Sequence, residues 1–253
     1  MKAVILAAGK GTRMRNLTDE VPKPMLKAHG KPILEHIFKG ILSAGIREVF
    51  FVIGFRGEVI ENYFGDGSKW GARVSYGRQL VQDGTGKAPE VAKSFVGSSP
   101  FLLTYGDILV APDTYPQMIN RFNEKDFTGV ITVTRGEDVT KGAVNFFDDQ
   151  FCLKRLIEKP SPEQLAQLRR DGWLTPGQPA WYNAGIYIFR PVVYEFTSKL
   201  TKSARGEYEL TDAITALVSA GHRIAGLEIA GRWVDVRDPE VLASLEREQA
   251  KSG

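Results

Sequence analysis

The chain has 253 residues, of which 43% are hydrophobic and 25% charged, with a formal net charge of +3. A single cysteine rules out an internal disulfide framework, and three histidines beside it argue against a Cys/His zinc site. The charge is too mild and too scattered for a nucleic-acid binder. No apolar run reaches the roughly 20 residues that a membrane span needs, so neither partner is expected.

The first residues, Met1 to Gly9, resemble a signal peptide only superficially. Their apolar run is short and charged residues follow at once, so Val4-Ile5-Leu6 reads as a first buried strand and the expected location is cytoplasmic. Pro32 then opens a helix, with Ile33, Leu34, Ile37, Phe38, Ile41 and Leu42 on one face and Gly45 past its end. Val49 to Ile53 reads as the next buried strand. Val59, Ile60, Tyr63 and Phe64 suggest a second helix closed by Gly65, and Phe101 to Tyr105 a strand ending at Gly106-Asp107.

This alternation predicts an α/β fold with a mostly parallel sheet and helices on both faces. Beyond it, runs at 130–133, 144–147 and 153–157 read as strands without long helices between them, which predicts an antiparallel addition. Residues 161–179 read as a short helix and a Pro/Gly-rich excursion. Val241, Leu242 and Leu245 mark a C-terminal helix. With no linker in sight, the chain is taken as one domain, 1–253. It would comprise one lobe over about 1–125, a smaller lobe over 126–240 and a helix over 241–253.

The strongest local feature is Leu6-Ala7-Ala8-Gly9-Lys10-Gly11-Thr12-Arg13 after the first strand. Glycines there let backbone N–H groups approach a phosphate, although a plain tight turn has the same sequence. The run is not a Walker A loop, and Met14 breaks the dinucleotide fingerprint. Lys23 adds a cation between Pro22 and Pro24, which stiffen its backbone.

These residues, with Pro22-Lys23-Pro24-Met25-Leu26, resemble the signature of the sugar-1-phosphate nucleotidyltransferases, the nucleotide-sugar pyrophosphorylases. The resemblance continues in order through Gly30-Lys31-Pro32-Ile33-Leu34, Gln79 with Gly84-Thr85-Gly86, Gly106-Asp107 and Glu158-Lys159-Pro160. It ends with Asn183-Ala184-Gly185-Ile186-Tyr187, the run from Gly206 to Asp212, and Trp233-Val234-Asp235. It implies a Rossmann-like nucleotide-diphospho-sugar transferase fold, with 1–125 as the nucleotide-binding lobe and 126–240 as the smaller sugar-phosphate-binding lobe. The implied reaction is attack by a sugar 1-phosphate on the α-phosphorus of a nucleoside triphosphate, with release of pyrophosphate. Such a nucleophile is already an anion and needs no base, which suits a signature rich in cations and poor in histidine.

The resemblance implies roles residue by residue. Leu6, Ala8, Gly9, Gly11 and Thr12 would hold the nucleotide, with Gln79, Gly84 and Thr85 at the base. Arg13 would stabilise the leaving pyrophosphate, Lys23 the α-phosphate, and Lys159 the incoming sugar phosphate. Gly142, Glu158 and Asn183 would contact the sugar. Asp107 and Asp235 would carry Mg²⁺, which favours oxygen ligands and often takes one or two carboxylates plus phosphate. UTP or dTTP is favoured. Cytidylyl or guanylyl transfer, or an inactive regulatory relative, are the alternatives, and an assembly of like subunits stays open.

Three departures from the common pattern stand out. Asn16 replaces a proline, Lys141 an aromatic residue, and Arg237-Asp238 a Gly-Thr pair after the second aspartate. No hexapeptide repeat follows, so no left-handed β-helix domain is expected. His29, His36 and His222 read as packing or surface residues and Cys152 as an unreactive thiol, while Trp173 and Trp181 either pack the excursion, the favoured reading, or line a sugar.

Overall fold

The computed structural model describes residues 1–175 and 177–252. Its strands are β1 (Lys2–Ala7), β2 (Lys27–Ala28), β3 (Lys31–Pro32), β4 (Glu48–Ile53), β5 (Arg73–Arg78), β6 (Phe101–Tyr105) and β7 (Ile108–Val110). They continue as β8 (Gly129–Thr134), β9 (Ala143–Phe147), β10 (Leu153–Glu158), β11 (Trp181–Phe189), β12 (Ile224–Glu228) and β13 (Trp233–Asp235). The helices are α1 (Ile33–Ser43), α2 (Gly57–Phe64), α3 (Lys93–Val96), α4 (Thr114–Asn123), α5 (Pro162–Arg170), α6 (Val193–Thr197), α7 (Leu210–Ser219) and α8 (Pro239–Ser252).

The main sheet runs β10-β9-β11-β6-β1-β4-β5, with β8 on the other edge of β11 and β12 beyond it. The N-terminal half is parallel: β1 pairs with β4 and β6, and β4 with β5. β11 joins β6 antiparallel, and β9 and β10 extend from its first residues as an antiparallel pair. This is the predicted combination, except that β12 lies parallel to β8. The proposed boundary at 125/126 falls after α4, but strands after it pair with strands before it.

Alternation along the strands explains why both faces are covered. Ala3, Ile5 and Ala7 of β1 join Val49, Phe51 and Ile53 of β4 in one core, while Val4, Phe50 and Val52 face the other. α1, α2 and α4 cover the first face. Ile33, Leu34, Ile37, Phe38 and Ile41 are buried there and Leu42 is partly buried, as the helical spacing predicts. Gly45 ends the turn at φ 85°, a left-handed conformation that suits glycine. On the second face α6 and α7 contribute Val193, Tyr194, Leu210, Ile214 and Leu217. Phe51 packs against Phe38 and Phe64 with ring centroids 5.8 and 4.9 Å away. Truncating such a ring typically costs about 3–5 kcal/mol.

The 161–179 excursion holds α5, with Ser161 and Gln164 forming a reciprocal capping box at its start. Trp173 packs edge-on to Phe146, and Arg135 lies over Trp181 at 3.6 Å, in line with packing roles for both tryptophans. Pro176 of that excursion and Gly253 of the expected C-terminal segment lie outside the described residues. Among the described residues, no helix is long and apolar enough to cross a membrane.

Candidate active site

In an open α/β sheet, ligands bind beyond the carboxyl ends of the strands where the strand order reverses. Here β1, β5 and β6 end at Ala7, Arg78 and Tyr105, and the loops leaving them help build a cleft of about 510 Å³. Every residue named above for nucleotide, sugar phosphate or metal lines that one cleft. The structure thus brings together Leu6, Ala8, Gly9, Gly11, Thr12, Arg13, Lys23, Gln79, Gly84 and Thr85 with Asp107, Gly142, Glu158, Lys159, Asn183 and Asp235.

The glycine-rich loop leaves β1 and turns at Gly11, whose φ is 65°. Among the described residues, the N–H groups of Gly9, Lys10 and Gly11 donate to no backbone carbonyl. A side chain at Gly9 would meet nothing within 4 Å, so the loop presents open backbone to the cleft. At Gly11 a Cβ would lie 2.8 Å from Lys23 Cβ. The loop therefore packs directly on the stem of the lysine that the sequence sets twelve residues after Gly11.

On the wall after β5, Gln79 Nε2 donates to Gly84 O at 3.4 Å, and Gln82 Nε2 donates to Ala8 O at 2.6 Å. Phe55 N also approaches Ala8 O, at 3.4 Å, so that carbonyl is already engaged. Gly84 has φ 120° and bridges to Tyr208, and Tyr208 N donates to Asp83 O. Only glycine fits, because a Cβ would lie 2.3 Å from Tyr208 O. This zipper brings Glu207, Glu209 and Thr211 to the cleft wall.

The two aspartates meet through strand pairing. β7 and β13 are antiparallel, with Ile108 opposite Asp235, and Val236 N donates to Asp107 O at 3.0 Å. Lys23 Nζ sits 2.5 Å from Asp107 Oδ2. Burial and the negative charge of Asp107 push the Asp235 carboxyl above its ordinary range, against the opposing charges of Lys23, Arg237 and Arg13. Two neighbouring carboxylates that disfavour joint ionisation are a donor set a divalent cation would relieve. Among the described residues, no group of three or more His, Cys, Asp or Glu could hold a metal. The pair therefore fits Mg²⁺ completed by water and phosphate oxygens, and does not form an all-protein cage.

At the far end, Lys159 follows Glu158 with φ 42°, and its N–H donates to Gly142 O at 2.8 Å. Such a conformation is strained for a lysine and recurs at binding sites. Burial pushes the Glu158 carboxyl above its ordinary range, helped by Glu209 and opposed by Lys159 and Arg205. Asn183 Oδ1 accepts from Gly185 N at 3.0 Å and from the Tyr187 hydroxyl at 3.1 Å. A bulge in β11 follows Asn183, and Thr132 fills it by bonding both N and O of Ile186. The Tyr182 hydroxyl lies 2.3 Å from the place a Cβ on Gly142 would occupy, which explains the glycine.

Sequence reasoning did not assign Gln82, Tyr105, Tyr182, Glu207, Glu209, Trp233 or Arg237 to the site, although all line the cleft. One available signal was period two. Trp233, Asp235 and Arg237 alternate along and beyond β13 and share a face. For Gln82 and the tyrosines, the partners are too distant in sequence to give a local signal.

A phosphate-ready loop, a cation on a carboxylate and a second carboxylate beside it, all at a strand-order reversal, define a nucleotide-handling α/β protein. The family model for nucleotidyl transferases matches residues 2–252, and the chain belongs to that family. It is 33% identical over 243 residues to the low-salt glycan biosynthesis nucleotidyltransferase Agl11 of Haloferax volcanii, covering 95% of this chain and 63% of that one. It is 31% identical over 235 residues to a glucose-1-phosphate thymidylyltransferase of Streptomyces griseus, covering 93% and 62%. The chain thus spans somewhat less than two-thirds of the length of these relatives. Its fold matches a UDP-glucose pyrophosphorylase crystallised with UDP-glucose, with TM-score 0.84, 22% identity and coverage of 100% and 99%.

Proposed function

We propose that the protein joins a nucleoside triphosphate, UTP or dTTP, to a hexose 1-phosphate, giving a nucleotide-sugar and pyrophosphate. The observation that carries this reading is the single cleft. It holds the glycine loop, Lys23 and the two aspartates together with Glu158, Lys159 and Asn183. The kinship with a glucose-1-phosphate thymidylyltransferase supports the pyrimidine and the hexose.

A phosphate oxygen of the sugar 1-phosphate bonds to the α-phosphorus while the bond to the bridging oxygen breaks. Pyrophosphate leaves with the electron pair. The chain's work is to gather two anions and offset the charge that develops between them. The open backbone of residues 9–11 binds the polyphosphate, and Arg13 offsets charge on the departing pyrophosphate. Lys23 faces the α-phosphate, and Lys159 holds the sugar phosphate in line. Asp107 and Asp235 would hold Mg²⁺, which when bound supplies further positive charge against the phosphate oxygens. Gln79 and Gly84 border the base, Glu158 accepts hydrogen bonds from the sugar hydroxyls, and the Asn183 amide nitrogen donates to them, its oxygen being held by Gly185 N and the Tyr187 hydroxyl.

The test is mass spectrometry of products after incubation with Mg²⁺, a nucleoside triphosphate panel and a sugar 1-phosphate panel. A nucleotide-sugar from UTP or dTTP with a hexose 1-phosphate is the expected product. Product from CTP or GTP alone would overturn the base assignment. No nucleotide-sugar from any pair would overturn the reaction.

A further inference from the structure

Arg237 occupies a position that none of the roles above uses. It follows Asp235 by two residues on the cleft-facing side of the chain, and its side chain is 23% exposed. Its Nη2 donates to Glu137 Oε2 at 3.0 Å, and its Nε lies 3.8 Å from Asp235 Oδ2, an ion pair too long for a hydrogen bond. Glu137 belongs to the connection between β8 and β9 that also carries Lys141 and Gly142. The pair therefore fastens the strand bearing Asp235 to the turn bearing Gly142. The Tyr182 phenol sits among the charges of Asp235, Arg237, Glu137 and Glu158.

A guanidinium has five N–H donors in a rigid fork, and one bond to Glu137 leaves donors for a second anion. A purely structural stitch accounts for the bond to Glu137. It does not account for a cation placed in the cleft, beside a carboxylate it does not hydrogen-bond, where the sugar end meets the metal end. A phosphate there would complete the fork.

Resting on the nucleotidyltransferase reading, we propose that Arg237 binds the phosphate of the incoming sugar 1-phosphate, with Glu137 as its positioning residue. Arg237 and Lys159 line the same cleft, so the phosphate would meet two cations while its free oxygen attacks the α-phosphorus.

Steady-state kinetics at saturating Mg²⁺ on Arg237→Ala, Arg237→Lys and Glu137→Gln test this, with thermal melting as a check on folding. The KM for the sugar 1-phosphate should rise about 10- to 100-fold in Arg237→Ala, the scale of a lost charge-assisted hydrogen bond. The KM for the triphosphate should stay within about twofold, a uniform-binding loss confined to one substrate. Arg237→Lys should recover part of the loss, and Glu137→Gln should show a smaller rise with the same selectivity. Equal rises in both KM values, or none, overturn the proposal. If the wild type releases no pyrophosphate from any pair, the reaction assigned above has failed. Titration with inorganic phosphate followed by phosphorus NMR then decides the residue's role separately. Weaker binding by Arg237→Ala supports it, and equal affinity overturns it.

Discussion

Lys23 Nζ donates to Asp107 Oδ2 at 2.5 Å, joining residues 84 positions apart in the sequence. The lysine rises from the short turn Lys23–Met25, fixed by prolines on both sides, and the aspartate follows the end of β6. Both side chains are mostly buried, at 13% and 27% exposure. The contact places a cation and an acid side by side at the point where, in the proposed reaction, a polyphosphate and its metal would converge. Lys23→Met should therefore lower kcat by a factor of about 100 to 1,000, since losing one preorganised donor at developing charge costs about 2.7–4 kcal/mol. Lys23→Arg should recover little, because a planar guanidinium does not replace a compact ammonium at this separation. Rapid-quench kinetics would read the chemical step directly.

Gly11 supports that lysine from below. Its φ of 65° is strained for any other residue, and a Cβ there would press on Lys23 Cβ at 2.8 Å. Gly11→Ala should weaken triphosphate binding and lower kcat together, whereas Gly9→Ala, with open space at its Cβ, should be milder. Calorimetric titration with the triphosphate would separate the two variants.

The paired aspartates predict a metal requirement. Chelation should abolish nucleotide-sugar formation, and added Mg²⁺ should restore it. Asp235→Asn should shift the magnesium titration to higher concentration, because one of two carboxylate donors becomes a neutral amide. Asp107→Asn should do the same and also free Lys23 from its partner. The measurement is rate against magnesium concentration for the three proteins.

A pH effect is expected far from the cleft. Burial works against the Glu35 carboxylate, but hydrogen bonds from Lys39 and Tyr63, and the charges of Lys39 and Lys31, outweigh it and lower its pKa. The same contact pushes the Tyr63 phenol up to about 12. A carboxyl with a depressed folded pKa adds stability above its unfolded value of about 4.3, and that contribution is lost as pH falls through the folded value. Wild type should therefore melt above Glu35→Gln at pH 7, with the gap closing as pH drops below about 4.3. A gap that widens on acidification would contradict the assignment.

The sequence displayed the nucleotide half plainly because its strands are buried on both faces. β1, β4 and β6 read as unbroken apolar runs, and α1 shows its stripe at helical spacing. β5 was missed because its burial is patchy at the sheet edge, with Arg73 and Arg78 exposed at its two ends. β12 was missed because Gly226 interrupts it, and β7 and β13 because three residues carry almost no period. The residues brought together in the cleft came from ordered motifs, not from pattern. What stayed illegible was long-range. Gln82 reaching Ala8, Gly84 zipping onto Tyr208, and Arg237 meeting Glu137 are partnerships that only the folded chain creates.

The central claim is that one cleft unites two anionic substrates around Lys23, Asp107 and Asp235. Pyrophosphate release with Mg²⁺, measured for wild type and Asp107→Ala across paired panels of triphosphates and sugar 1-phosphates, tests it most directly. Release is expected only when both substrates are present, greatest with UTP or dTTP, and should disappear in the variant. Release from a triphosphate alone, or release undiminished in Asp107→Ala, would contradict it.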